Sequence, residues 1–139
     1  MRLRRRDALV RALRISEVSA HCDLPCGVYD PAQARIEAES VKALIQKHNA
    51  SDDPVYRTRA IFIKEQRSEL VKHHLWVLWT DYFKAPHFEK YPNLHQLFNE
   101  ATKLAGAGGT KGSMDEAVAD QLLGKIDEIA KIFWETKQA

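Results

Sequence analysis

The sequence predicts an all-α chain, an antiparallel four-helix bundle preceded by a short cysteine-bearing hook. Three observations carry that prediction. Apolar residues recur at three- and four-residue steps through residues 31–139. The breaks in the pattern are short and rich in Pro, Gly, Asn and Asp, so successive helices turn back on one another. Both cysteines and one of the six histidines fall within residues 21–29, ahead of the first helical stretch.

Residues 1–20 hold six arginines against Asp7 and Glu17, a net of +4, which leaves 15 Lys/Arg against 17 Asp/Glu in the remaining 119 residues. The basic character belongs to this leader, and a folded part of net −2 argues against nucleic acid as a partner. Arg11 and Arg14 interrupt the apolar run, so the leader lacks the core of a secretory signal peptide. It reads as an N-terminal arm, an arginine-rich amphipathic helix or a removable pro-segment ending at Ala20. No apolar run approaches the roughly 20 residues that cross a bilayer, so no membrane partner is expected.

The hook, His21-Cys22-Asp23-Leu24-Pro25-Cys26-Gly27-Val28-Tyr29, sets two thiols three residues apart with Pro and Gly shaping the turn. Soft sulfur with imidazole nitrogen suits zinc, copper, iron or nickel and disfavours magnesium or calcium. A reversible disulfide, or two unrelated thiols, reads equally from the spacing alone. A cut after Ala20 would free the amine of His21 to join its imidazole, the Cys22 amide and two sulfurs. A planar set of two nitrogens and two sulfurs suits Ni(II), whereas zinc prefers a tetrahedron.

Residues 31–49 form the first expected helix, with Pro31 in its first turn and Ala34, Ala38, Val41, Leu44, Ile45 and His48 on one face. Residues 49–54 are a turn. The second helix, 53–82, is expected to turn Tyr56, Ala60, Ile63, Leu70, Val77 and Leu78 inward. Pro86 and Pro92 break the chain, and Asn93 caps a third helix carrying Leu94, Leu97, Phe98, Ala101 and Leu104. Residues 106–112 are expected to be a flexible connection. Ser113-Met114-Asp115-Glu116 matches a capping box, and the last helix presents Val118, Leu122, Ile126, Ile129 and Phe133. Glu37 and Arg67 interrupt the apolar faces; each alone reads as a side chain reaching for solvent, and together they suggest a carboxylate–guanidinium pair. His73, His74, His87 and His95 read as surface or interface residues, and Trp76, Trp79 and Trp134 as core or subunit-contact anchors.

The segment HCDLPCGVYDPAQARIEAESV, residues 21–41, resembles the start of the mature nickel-dependent superoxide dismutases, including their hook His-Cys-x-x-Pro-Cys-Gly-x-Tyr. The likeness continues through Tyr56-Arg57-Thr58-Arg59-Ala60, Lys64-Glu65-Gln66-Arg67, residues 70–84, His87-Phe88-Glu89-Lys90-Tyr91-Pro92 and Lys131-Ile132-Phe133-Trp134-Glu135-Thr136, and is weakest over 103–124.

The resemblance implies a division into a cleavable pro-segment (1–20), a nickel-binding hook (21–30) and a four-helix bundle (31–139). It implies one nickel per subunit, held by His21, Cys22 and Cys26, cycling between Ni(III) and Ni(II) as superoxide anion disproportionates to oxygen and hydrogen peroxide. His21, Glu37 and Arg67 would form one network that orients the imidazole. Tyr29, with Asp23, would gate the open side of the metal, and Pro25 would follow a cis peptide bond that turns Cys26 towards Cys22. Tyr82 and Lys84 match residues of the access route, Lys84 as a positive guide or else a solvated helix-end lysine. The family assembles as a homohexamer and is matured by a protease. The leader's broken apolar stretch points to cytoplasmic residence in a bacterium. A non-enzymatic nickel carrier and a metal-free dithiol redox protein are the rival functions.

Overall fold

The computed structural model describes Leu24 and residues 26–139. Among these residues every regular element is helical: α1 (Ala32–Asn49), α2 (Pro54–Val77), which runs on into a π turn (Leu78–Tyr82), a short α3 (Ala85–Lys90), α4 (Leu94–Leu104) and α5 (Glu116–Gln138). Four long helices make the bundle. Their directions follow from the polar pairs that join them. His48 meets Arg57 at 3.3 Å, and Glu37 meets Arg67 further down the α1–α2 hairpin. Along α1 and α5, Arg35 faces Asp127, Lys42 faces Asp120 and Gln46 faces Glu116. Lys125 of α5 meets Glu100 of α4 at 2.9 Å. In the α1–α2 and α1–α5 sets the numbers rise on one helix as they fall on the other, so those neighbours are antiparallel.

The helix ends have local causes. Asp30 Oδ1 accepts the Ala32 amide at 2.8 Å, next to Pro31, which has no amide to satisfy. Asp53 Oδ1 accepts the Val55 amide at 2.9 Å, with Pro54 opening α2. Pro86 does not simply break the chain: it lies in the first turn of α3, where the missing N–H has no cost. Asn93 sits at the start of α4 without a capping bond from its side chain. The cap of α5 is Asp115, whose Oδ1 accepts the Ala117 amide at 2.9 Å, and Ser113 Oγ instead accepts the Asp115 amide. The expected Ser113 capping box therefore gives way to an Asp cap two residues later.

The α1 face is as expected, with Ala34, Ala38, Val41, Ile45 and His48 buried and Leu44 half-buried. The α2 face is rotated from expectation. Its buried line is Ala60, Lys64, Ser68, Val71 and Leu75; Ala60, Val77 and Leu78 are buried as expected, while Tyr56 and Leu70 are exposed and Ile63 is only half-buried. Hydropathy misplaces the face because two polar residues belong to the core, and both find partners there. Lys64, 0% exposed, donates to the Thr110 carbonyl at 2.6 Å and to Glu65 at 2.7 Å. Ser68 Oγ and Thr110 Oγ1 are 2.8 Å apart.

Thr110 belongs to the connection expected to be flexible, and this too is corrected. The Thr110 amide donates to the Leu104 carbonyl at 2.7 Å, Gly112 donates to Glu65 at 2.7 Å, and Lys111 pairs with Glu69. Gly109 is required by contact: a Cβ there would overlap the Leu104 carbonyl group. Burial pushes the Glu65 carboxyl up, but hydrogen bonds from the Gly112 amide and Lys64 outweigh it and hold the group below its ordinary 4.5.

The larger apolar core joins Ala34 and Ala38 to Val71, Leu75 and Leu78, to Leu94, Leu97 and Phe98, and to Ile126, Ile129 and Phe133. It lies at the end of the bundle where α1 begins and α5 finishes, and Tyr29 and Tyr82 pack against it. Trp76, Trp79 and Trp134 are not core residues; each is 40–49% exposed.

Candidate metal site

The chain enters the bundle through Cys26–Asp30. Gly27 has φ +74°, the left-handed conformation glycine adopts without steric cost, and it turns the backbone directly after the thiol. Cys26 is exposed, and its Sγ accepts the Val28 amide at 3.4 Å. His21, Cys22, Asp23 and Pro25 lie outside the described residues, as do the pro-segment and the expected cis bond at Pro25.

Behind the hook stands an aromatic cluster. The rings of Tyr29 and Tyr82 have centroids 5.7 Å apart. Tyr82 also packs on Phe133 at 4.3 Å and stacks on His87 at 5.8 Å, with planes 10° apart. The π turn sets this arrangement. Its extra residue lets the Phe83 amide reach back to the Leu78 carbonyl at 3.0 Å, so that Leu78 and Phe83 are both buried and Tyr82 is half-buried beside Phe133. Lys84 is exposed; its Nζ donates to the Asp81 carbonyl at 3.4 Å and its backbone amide to His87 Nδ1 at 3.0 Å. That second bond requires an unprotonated Nδ1, so it selects the neutral His87 tautomer with hydrogen on Nε2.

Glu37 and Arg67 form the expected pair. Arg67 Nη1 donates to both carboxylate oxygens, at 3.0 and 3.2 Å; the Glu37 side chain is 15% exposed and that of Arg67 43%. The rotated face of α2 explains the contact. Successive helical residues are about 100° apart, so a core line through Lys64 and Ser68 puts Arg67 at its margin. There the guanidinium reaches α1 instead of entering the apolar interior.

The structure thus brings together Tyr29 with Tyr82, Glu37 with Arg67, and Lys84 with the edge of the tyrosine cluster. Two residues went unrecognised in the sequence. His87 reads from the sequence as a surface or interface residue, and in the structure it caps Lys84 and stacks on Tyr82; Pro at the second helical position with a side-chain acceptor at the third is the signal the sequence carries. Thr136 stands in the Lys131–Thr136 run without a sign of its role, yet its hydroxyl lies 2.6 Å from that of Tyr82. Nothing in its spacing points to Tyr82, 54 residues away.

Cys26 supplies the soft, exposed sulfur that a thiophilic metal takes. Among the described residues, no three His, Cys, Asp or Glu side chains gather as a metal-binding group. No helix among them is long and apolar enough to cross a membrane.

Comparison with known proteins agrees with this chemistry. The family model for nickel-containing superoxide dismutase matches residues 16–137. Curated superoxide dismutases [Ni] from Streptomyces coelicolor and Streptomyces seoulensis are 66% identical over 122 residues and 64% identical over 123, each match covering 88% of this chain and 92% of the relative. The solved native nickel superoxide dismutase is 65% identical and superposes with a TM-score of 0.81, over 86% of this chain and 100% of that one.

Proposed function

The chain belongs to the nickel-containing superoxide dismutases and disproportionates superoxide with nickel, and from that premise we propose which of its residues do so. Cleavage ahead of His21 frees an amine, and that amine, the Cys22 amide, the two thiolates of Cys22 and Cys26 and the His21 imidazole hold one nickel per subunit. The fit rests on the donors: sulfur and anionic nitrogen raise electron density on a metal whose aqueous ion resists oxidation. Nickel held there would supply the Ni(III)/Ni(II) one-electron couple that the disproportionation of two superoxide anions and two protons to oxygen and hydrogen peroxide needs.

The Glu37–Arg67 pair carries the assignment of the surrounding residues. Its geometry is fixed between two helices, and a carboxylate bridged by a guanidinium holds an imidazole in one orientation and tautomer. Tyr29 and Tyr82 close the approach with their rings, and Tyr29 offers its hydroxyl to an incoming anion or water. Asp23 and Pro25 shape the hook, and Lys84 gives the negative chain a local positive guide. Restricted access also protects the thiolates, which peroxide oxidises when they are free.

Residues 1–20 act as the removable pro-segment. They are about one-seventh of the chain, close to the share of it that falls outside the match to the solved native protein. A processing protease is therefore a partner. Cytoplasmic residence follows from the leader's composition. The functional form is a homohexamer, a reading supported by exposed Tyr56, Phe62 and Trp134 and by a groove of about 670 Å³ lined by Trp76, Trp79 and His95. Neither the nickel carrier nor the metal-free dithiol protein is favoured by the relatives.

The test is metal stoichiometry on the processed chain. Wild type is expected to retain one nickel per subunit and to elute as six subunits by light scattering. Cys22→Ser, Cys26→Ser and His21→Ala are expected to keep the helical circular dichroism and lose nickel or turnover. Full nickel retention and turnover in both serine variants would overturn the ligand assignment.

A further inference from the structure

The last turn of α5 reaches the tyrosine cluster. Tyr82 Oη and Thr136 Oγ1 are 2.6 Å apart, and Thr136 Oγ1 is also 2.6 Å from the Phe133 carbonyl oxygen. A threonine hydroxyl carries one proton and a carbonyl carries none. Only the Thr136 proton can occupy the contact with Phe133, since two oxygens at that distance without hydrogen between them repel. The proton in the other contact is therefore that of Tyr82. The chain runs one way, from Tyr82 to Thr136 to Phe133.

From this direction we infer that Thr136 is a positioning residue for the reaction, holding the Tyr82 hydroxyl proton so that the phenol oxygen keeps acceptor capacity only. The inference rests on the assignment of Tyr82 to the access route and adds a polarity to it. Tyr82 then receives hydrogen bonds from water or a neighbouring donor, while anion-directed donation falls to other groups such as Lys84. Among the described residues the phenol is otherwise held by ring contacts with Tyr29, His87, Phe83 and Phe133 and by Lys137 Nζ, 5.1 Å from its centroid. Those contacts fix the ring plane but leave the O–H rotor free, so Thr136 is what sets it.

The experiment compares Thr136→Val and Thr136→Ser in the processed chain. The Raman ring doublet of tyrosine reads whether a phenol donates or accepts a hydrogen bond. Valine is expected to shift the doublet away from the donor pattern, with or without nickel, and serine to preserve it. The valine shift is expected to vanish in a Tyr82→Phe background. Turnover is expected to fall about fivefold in Thr136→Val, the equivalent of about 1 kcal/mol, and to stay within about twofold of wild type in Thr136→Ser. A valine spectrum that overlays wild type, or a shift that survives Tyr82→Phe, would overturn the hydrogen-bond direction. Turnover that falls in Tyr82→Phe but not in Thr136→Val would overturn the role of Thr136 alone. Turnover unmoved in both would overturn the access role of Tyr82 and the inference with it.

Discussion

Lys64→Met probes the feature that sets the rotation of α2. Methionine nearly matches the lysine stem, so the change removes an ammonium without opening a large cavity. The Thr110 carbonyl then loses its side-chain donor inside the protein, at a cost of about 1–3 kcal/mol. Glu65 also loses a partner, but its side chain is 33% exposed and keeps the Gly112 amide, so that loss is nearer about 0.5–1 kcal/mol. Relief from desolvating the ammonium offsets part of both, leaving a net destabilisation of about 2–3 kcal/mol. For a chain of this size that is a fall in Tm of about 8–12 °C. Chemical denaturation with an unchanged m-value gives the free energy, and hydrogen exchange at the Thr110 and Gly112 amides locates it. A variant within about 0.5 kcal/mol of wild type, with both amides still protected, would refute the claim that Lys64 pins the 105–112 connection and fixes where Arg67 stands.

Glu37→Gln is expected to separate stability from catalysis. The pair is partly exposed, so the loss of stability is about 0.5–1 kcal/mol, whereas turnover of the nickel-loaded chain is expected to fall 10- to 100-fold, roughly, as for other groups that orient a metal-bound imidazole. Melting and superoxide decay measured on one sample check both. Acid is expected to release the 105–112 connection first. Glu65 is held below its ordinary 4.5 as described, and the Lys111 hydrogen bond, against partial burial, does the same for Glu69. The folded state therefore binds fewer protons than the unfolded chain as pH falls through that region, and the stability is complete above 4.5 and lost below it. Denaturation midpoints followed from neutral pH to below 4.5 should fall more steeply for wild type than for a Glu65→Gln, Glu69→Gln double variant. Gly109→Ala should cost about 2–3 kcal/mol, because its Cβ meets the Leu104 carbonyl; Gly124→Ala, with open space around it, should be neutral or slightly stabilising by thermal melting.

The four long helices and the α1 face were legible because most apolar residues there follow the helical period, whereas the short α3 reads in the sequence only as a break at Pro86 and Pro92. The α2 face was not, since Lys64 and Ser68 are buried by partners more than 40 residues away, and hydropathy cannot see a hydrogen bond. The Gly-rich run 106–112 was misread for the same reason: its glycines permit close packing, with the Thr110 carbonyl held by Lys64 and the Gly112 amide by Glu65. Glu37 and Arg67 were found because a charge on an apolar helix face stands out locally. Thr136 was missed because a hydroxyl on a half-buried turn does not.

The central claim is that a free amine at His21 completes the nickel site. The direct measurement compares superoxide decay by the chain beginning at His21 with that by the 139-residue chain, both brought to equal nickel content. Rapid decay and a Ni(III) electron-spin signal only in the processed chain are the expected result. Equal decay by both chains, or none by the processed one, would contradict it.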